Sequence, residues 1–197
     1  MSDSFYTYLA VAALLFWPAI PLFWIPVHLF PRFFRRLGFF TYILPLITWL
    51  PIACIIFRLL DVLLLYRIEL PVVIKITGIC LFILGAGVQV WTLYLLTLPV
   101  IMGMPEVTTR ISGRLETAGP FAVVRHPTYL SHLLMLLGIF GFTGVTSLGV
   151  VAIVDAVVVN IVVIPLEEKE LMRRFGKDYE AYCQKVPSRF VPLWRTR

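Results

Sequence analysis

The sequence predicts an all-α, polytopic membrane protein with five transmembrane helices, a C-terminal helical hairpin and a cytoplasmic amphipathic helix. Only 14% of its 197 residues are charged, against roughly 25% in a soluble domain. The mean hydropathy is +0.92. A spanning helix needs about 20 mostly apolar residues, and five segments of the chain approach that pattern. A single membrane domain over residues 1–197 is expected, with a three-span bundle over 1–100 and a second region over 101–197 that contains spans four and five and the cytoplasmic tail.

The five predicted spans follow the apolar segments in chain order. They are Phe5–Leu29, Phe40–Leu64, Pro71–Leu98, Tyr129–Phe142 and Ser147–Pro165. Prolines in the first two spans predict kinks. A short turn near Gly144 joins the last two as a tight hairpin, each arm of which is short for a full crossing. Three glycines of the third span predict close packing against a neighbouring helix. They are Gly78, Gly85 and Gly87.

The distribution of basic residues predicts the orientation in the membrane. Fourteen of the seventeen Lys and Arg follow the first, third or fifth span and so share one side. Cytoplasmic loops carry the excess of such residues, so the N-terminus is expected outside and the C-terminus inside. No cleavable signal peptide is expected. The basic face can meet membrane lipids. A nucleic-acid partner is not expected, because no recognition module accompanies the charge.

The first polar block of the chain precedes the fourth span. His126 comes before Pro127, which excludes it from the α region and suits Pro127 to the first helical position. His126 then lies at a helix mouth, where free N–H groups attract anions. The opposing interpretation makes Arg125 and His126 snorkelling interface residues and Tyr129 an aromatic anchor.

The second polar block follows Pro165. Glu167 and Glu168 are adjacent carboxylates at the membrane edge. The acidic start of a new helix would explain Glu168 and Glu170 as well as catalysis does. Gly176 predicts a helix C-cap. Beyond it, Tyr179 and Tyr182 belong to an amphipathic helix that either lies on the bilayer or folds back as a lid.

Within the bilayer, Asp155 and Asn160 are expected to bond between helices. The three cysteines and three histidines show no metal-ligand spacing, so no metal site is predicted.

The two blocks together resemble the isoprenylcysteine carboxyl methyltransferase family. The resemblance covers Leu115 to Pro192 and rests on four ordered motifs. These are Arg125-His126-Pro127-x-Tyr129, Glu167-Glu168-x-x-Leu171, Phe175-Gly176-x-x-Tyr179-x-x-Tyr182 and Val186-Pro187. It implies an S-adenosylmethionine cofactor, with S-adenosylhomocysteine as product, and a lipophilic acceptor that enters from the bilayer. No Rossmann-type glycine fingerprint is present, so the cofactor needs another kind of pocket.

The resemblance also implies roles for particular residues. Glu167 and Glu168 would be catalytic. The cofactor would be bound by Gly113, Arg114, Leu115, Glu116, Phe121, His126, Pro127, Thr128 and Tyr129. Three positions depart from the family. Phe121 replaces a frequent Tyr, Ser131 replaces a frequent Gly, and Val163 replaces an Arg that is implicated in handling the acceptor carboxylate.

Four functions remain open on the sequence. The leading hypothesis is methyl transfer to a prenylcysteine-type carboxylate. The alternatives are a phospholipid N-methyltransferase, an NADPH-dependent membrane sterol reductase and a membrane packing protein that catalyses nothing. The predicted hairpin also places Glu167 close to His126 and Tyr129, because two arms of similar length return the chain to one level of the membrane.

Overall fold

Apolar helices dominate the computed structural model, which describes residues 2–97, 100, 103–108 and 113–192. The α-helices in these ranges are α1 (Ser2–Phe16), α2 (Ala19–Leu29), α3 (Pro31–Leu37), α4 (Leu44–Arg58), α5 (Leu60–Leu63), α6 (Val72–Leu95), α7 (Met104–Val107), α8 (Pro127–Thr143), α9 (Thr146–Val158), α10 (Ile164–Phe175) and α11 (Lys177–Lys185). Within these ranges, pairing between extended segments is limited to one isolated bridge between Arg67 and Val145. The predicted all-α, polytopic membrane fold is confirmed.

In the part of the chain that the structure describes, four continuous helical segments are long and apolar enough to cross a membrane. They are Ser4–Leu29, Pro31–Arg58, Val72–Leu95 and Thr146–Phe175. The remaining predicted span is α8, a shorter apolar helix of 17 residues. At 1.5 Å per residue it measures about 26 Å, slightly less than the hydrocarbon thickness of about 30 Å. The expectation of a short arm is correct for α8 and wrong for the second arm, which runs on to Phe175.

The helix that contains Pro165 does not end there, contrary to the sequence-based prediction. Pro165 lacks an N–H and would clash with the carbonyl four residues earlier in a regular helix. The preceding residues Val159–Val163 instead form a π-helical turn, in which the N–H of Ile164 donates to the carbonyl of Val159. The wider turn admits the proline ring and lets α9 continue into α10. Glu167 and Glu168 therefore lie inside a continuous helix, so the interpretation as an acidic helix start is wrong.

The most extensive helix contact joins α6 to α8. A Cβ added to Gly78 would lie 2.8 Å from the carbonyl oxygen of Gly138, and one added to Gly85 would lie 2.8 Å from that of Ser131. These are backbone atoms, so the two helices touch main chain to main chain. The predicted packing role is confirmed for Gly78 and Gly85. It is wrong for Gly87, which has nothing within 4 Å of an added Cβ.

Two polar contacts cross the helix interfaces. Oδ2 of Asp155 on α9 lies 3.2 Å from Nδ1 of His132 on α8. This contact confirms the predicted interhelical role of Asp155. Ser131 of α8 donates to the side-chain oxygen of Gln89 on α6. Asn160 is exposed, and no interhelical bond of its side chain is seen within the described residues. These contacts fix α8 between α6 and α9, and so fix the level at which its N-terminus emerges.

Candidate functional site

A cavity of about 300 Å³ lies at the N-terminal end of α8. All nine residues expected to bind the cofactor line it: Gly113, Arg114, Leu115, Glu116, Phe121, His126, Pro127, Thr128 and Tyr129. Of the two predicted catalytic residues, Glu167 lines the cavity and Glu168 does not. The sequence therefore locates one concave site from two segments, of which the first ends at Tyr129 and the second begins at Glu167, 38 residues later.

His126 occupies the N-cap position of α8, with φ −124° and ψ 65°, as the X-Pro rule predicts. Its side chain is only 3% exposed and lies between two carboxylates. Nδ1 is 3.6 Å from Oε2 of Glu167, and Nε2 is 3.4 Å from Oε1 of Glu168. Burial alone would lower the pKa of His126, but the two carboxylates outweigh burial and raise it. His126 is thus held towards its protonated form inside the site.

The side chain of Arg125 is only 8% exposed, so the interpretation of Arg125 as a snorkelling interface residue is wrong. Its Nε and Nη2 donate to Oε1 of Glu168 at 2.9 and 2.6 Å. Its Nη1 donates to the carbonyl oxygens of Val186 and Pro187 at 2.7 and 2.9 Å. With all three nitrogens of the guanidinium engaged, Arg125 holds Glu168 and the C-terminal segment in place.

The two adjacent glutamates have different surroundings. Glu167 accepts a hydrogen bond from the hydroxyl of Tyr129 at 2.8 Å and faces the cavity. Glu168 is bound by Arg125 and also lies 3.3 Å from Nε of Arg189. The expected proximity of Glu167 to His126 and Tyr129 is confirmed. Of the pair, Glu167 is the carboxylate that can reach a bound molecule.

The extended segment after α11 closes the site from behind. The backbone N–H of Arg125 donates to the carbonyl of Ser188 at 3.0 Å, and that of His126 donates to the carbonyl of Arg189 at 2.8 Å. These N–H groups precede a helix start and have no intrahelical partner. The segment therefore satisfies the backbone N–H groups of Arg125 and His126.

Helix α11 folds back over the cavity, as the lid interpretation predicts. Gly176 turns the chain, with φ 54° and its N–H bonded to the carbonyl of Met172. Tyr179 and Tyr182 then line the cavity. The hydroxyl of Tyr182 donates to the carbonyl of Phe121 at 2.7 Å. Burial raises the pKa of both tyrosines, so each is a neutral phenol at physiological pH.

Glu116 provides a carboxylate in another part of the cavity wall. It accepts bonds from Arg114 and from the backbone N–H groups of Thr117 and Ala118. Burial opposes its ionised form, but Arg114 and these N–H groups lower the pKa of Glu116. The cavity therefore contains one ionised acid here and a second, Glu167, beside His126.

Sequence reasoning missed the part of the wall that comes from the first and third spans. Ile20, Trp24, Gln89, Leu93 and Leu96 line the cavity on this side. It also missed Glu170, which is bonded to Nδ1 of His28 at 2.8 Å across 142 residues. The signal for α10 was present, because Glu167, Leu171 and Arg174 recur at helical spacing and all line the cavity. No sequence signal points from His28 to Glu170.

Within the described ranges, no group of three or more His, Cys, Asp or Glu side chains is arranged to hold a metal ion. The chemistry available is that of two carboxylates, a buried imidazole, three guanidinium groups, three phenols and apolar walls.

Comparison with known proteins gives a family match and similarity to curated proteins. A family model described as phospholipid methyltransferase matches residues 73–178, which include the first polar block and the second as far as Gly176. The Delta(14)-sterol reductase of Mus musculus is 27% identical over 97 residues, which are 48% of this chain and 23% of the reductase. The chain thus spans about a quarter of that relative's length. No solved structure gives a significant match.

Proposed function

The chain belongs to the phospholipid methyltransferase family, and we propose that it transfers a methyl group from S-adenosylmethionine to a lipophilic acceptor. One observation carries the proposal. The cavity at the mouth of α8 is polar at Glu167, His126 and Tyr129 and apolar where the first and third spans line it. A lipophilic molecule in the bilayer can therefore present a polar group to Glu167 while its hydrocarbon stays between the spans.

The residues present fit the cofactor. A volume of about 300 Å³ lies at the small end of the range for ligand pockets, roughly 300–1,000 Å³. Phe121, Tyr179 and Tyr182 offer aromatic faces for the adenine ring. Glu116 can accept hydrogen bonds from a ribose diol, and Arg174 can pair with the methionine carboxylate. When bound, S-adenosylmethionine supplies an electrophilic methyl group on a cationic sulfur.

Glu167 is assigned the catalytic role, in direct contact with the reacting groups. Tyr129 and His126 orient its carboxylate towards the cavity, where it can steady a cation, position the acceptor or accept its proton. Glu168 is assigned a positioning role, because its bonds run to Arg125 and Arg189 and not to the cavity. Methyl displacement then depends mainly on alignment of the acceptor and on electrostatics.

An amine acceptor suits this site better than a prenylcysteine carboxylate. The cavity-facing carboxylate of Glu167 attracts a cationic head group and repels an anionic one. The position at which the resembled family has an acceptor-handling Arg is Val163, which is fully buried here. An ammonium group must lose a proton before it attacks, and Glu167 is placed to accept that proton. Parallel assays with a phospholipid amine and a prenylcysteine-type carboxylate distinguish the two acceptor classes.

Calorimetric titration of the purified protein is expected to show binding of S-adenosylmethionine and S-adenosylhomocysteine but not of NADPH. The reductase match makes NADPH the competing ligand, and NADPH is considerably larger than S-adenosylmethionine. Phe121→Ala should weaken S-adenosylmethionine binding about fivefold to tenfold by removing an aromatic wall. Phe57→Ala, at an exposed position outside the cavity, is the matched control. Binding of NADPH alone would contradict the proposal.

The orientation is proposed as N-terminus outside and C-terminus cytoplasmic, with the cavity on the cytoplasmic side. Ser2→Cys and Thr196→Cys, each in a background with Cys54, Cys80 and Cys183 replaced by Ala, test it by labelling with a membrane-impermeant reagent. Intact cells should be labelled at position 2 only. Equal labelling of both positions from one side would contradict an odd number of crossings.

A further inference from the structure

A second polar cavity, the basic cleft, lies next to the cofactor cavity. It has a volume of about 400 Å³ and is formed where the end of α2 and the start of α3 face α10. Five of its lining side chains are cations and one is a carboxylate, Glu170. The cations are Arg32, Arg35, Lys169, Arg173 and Arg174. An excess of positive charge in a concave site raises the local concentration of anions.

Glu170 does not neutralise the basic cleft. Its carboxylate accepts bonds from Nη2 of Arg35 at 3.2 Å and from Nη2 of Arg174 at 3.0 Å. It also bonds to Nδ1 of His28 at 2.8 Å. The other three cations, Arg32, Lys169 and Arg173, form no ion pair with any acidic side chain in the described part of the chain. Guanidinium groups recognise phosphate oxygens through paired hydrogen bonds, so the uncompensated charge suits a phosphate.

An apolar surface adjoins the basic cleft. A neighbouring cavity of about 630 Å³ shares Arg32 and Arg173 with it and adds the rings of Phe30 and Phe33. These rings are 61% and 56% exposed. The first spanning helix ends at Leu29, so this surface lies at the membrane edge. A ligand with its phosphate in the cleft would have these rings beside its hydrocarbon.

We propose that the basic cleft binds the head group of an anionic phospholipid, with an acyl chain against Phe30 and Phe33. Cations alone would also attract a soluble phosphate ester. The exposed rings favour a lipid, because only an amphiphile gains from apolar contact next to the charge. The basic cleft shares Arg174 with the cofactor cavity, but the proposal does not depend on methyl transfer. Its test is a binding measurement in which Arg174 is unchanged, so its failure would leave the proposed function untouched.

The test is native mass spectrometry of the full-length protein in detergent. It is titrated with phosphatidylglycerol, with phosphatidylcholine of the same chains and with glycerol 3-phosphate. The cleft variant combines Arg32→Gln, Lys169→Gln and Arg173→Gln. The control variant removes the same charge from exposed positions outside the cleft with Arg36→Gln, Lys177→Gln and Lys185→Gln. His28, Arg35, Glu170 and Arg174 stay unchanged, because their bonds join α2 and α3 to α10.

The parent protein should bind phosphatidylglycerol at least about tenfold more tightly than phosphatidylcholine, since each juxtamembrane cation adds attraction to an anionic head group. The cleft variant should lose this preference and the control variant should keep it. Phe33→Ala should weaken phosphatidylglycerol binding, whereas Phe39→Ala, which is also exposed, should not. Equal binding of the two lipids, or equal losses in both charge variants, overturns the proposal. The proposal is also overturned if glycerol 3-phosphate binds as tightly as phosphatidylglycerol and Phe33→Ala has no effect.

Discussion

Glu167→Gln is expected to lower the single-turnover rate of methyl transfer by about a hundredfold or more, with little change in cofactor affinity. The amide keeps the shape of the side chain and can still accept the hydrogen bond from Tyr129. It loses the negative charge that faces the cavity and the ability to take a proton. A residue that only held the cofactor would instead show its effect in the binding constant.

Two comparisons sharpen this experiment. Glu180→Gln removes a carboxylate from an exposed position of α11 outside the cavity and should leave the rate unchanged. Tyr129→Phe removes only the hydroxyl that orients Glu167, so it should produce a smaller loss of rate in the same direction. Rapid methyl transfer by Glu167→Gln, on an acceptor that the parent protein methylates, would eliminate Glu167 as the reacting carboxylate.

Gly138→Ala is expected to destabilise the protein by about 2 kcal/mol or more. The added Cβ would lie 2.7 Å from the backbone nitrogen of Phe82 and 2.8 Å from the carbonyl oxygen of Gly78. Backbone atoms cannot rotate away, so α6 and α8 must separate. Alanine is favoured over glycine in a helix by about 1 kcal/mol, which opposes the destabilisation by the clash. The sign of the measured change in stability shows which of the two effects is larger.

Gly87→Ala is the matched control for this prediction. It makes the same chemical change in the same helix pair, at a position where an added Cβ meets nothing within 4 Å. It should leave stability unchanged or raise it slightly. Thermal unfolding in a fixed detergent measures both variants. A Gly138→Ala protein as stable as the parent would show that the helices do not rely on this contact.

Local rules were sufficient for several parts of this structure. The conformation of His126 follows from the proline after it, and the turn at Gly176 follows from its position at the end of an amphipathic segment. The proximity of Glu167 to Tyr129 follows from hairpin geometry. These features depend on residues close in sequence or on two helices joined by one short turn, so the sequence contains the information directly.

Other parts depend on packing between distant segments. The passage of the helix through Pro165 requires the π turn before it, which no residue pattern signals. The bond between His28 and Glu170 exists because the first and last spans lie side by side. In both cases the outcome depends on surroundings that no local pattern reveals. Gly87 is different, because it lies two residues from Gly85 and helical periodicity alone places it on another face, away from α8.

The backbone bonds that Arg125 and His126 make with residues 188 and 189 bear on how the protein is synthesised. A ribosome releases the chain from its N-terminus, so the transmembrane segments can enter the membrane before residues 186–189 leave the exit tunnel. During that interval Arg125 lacks the carbonyl groups of Val186 and Pro187 that hold its guanidinium. The spanning helices therefore form before the contacts that hold Arg125 and His126 in place.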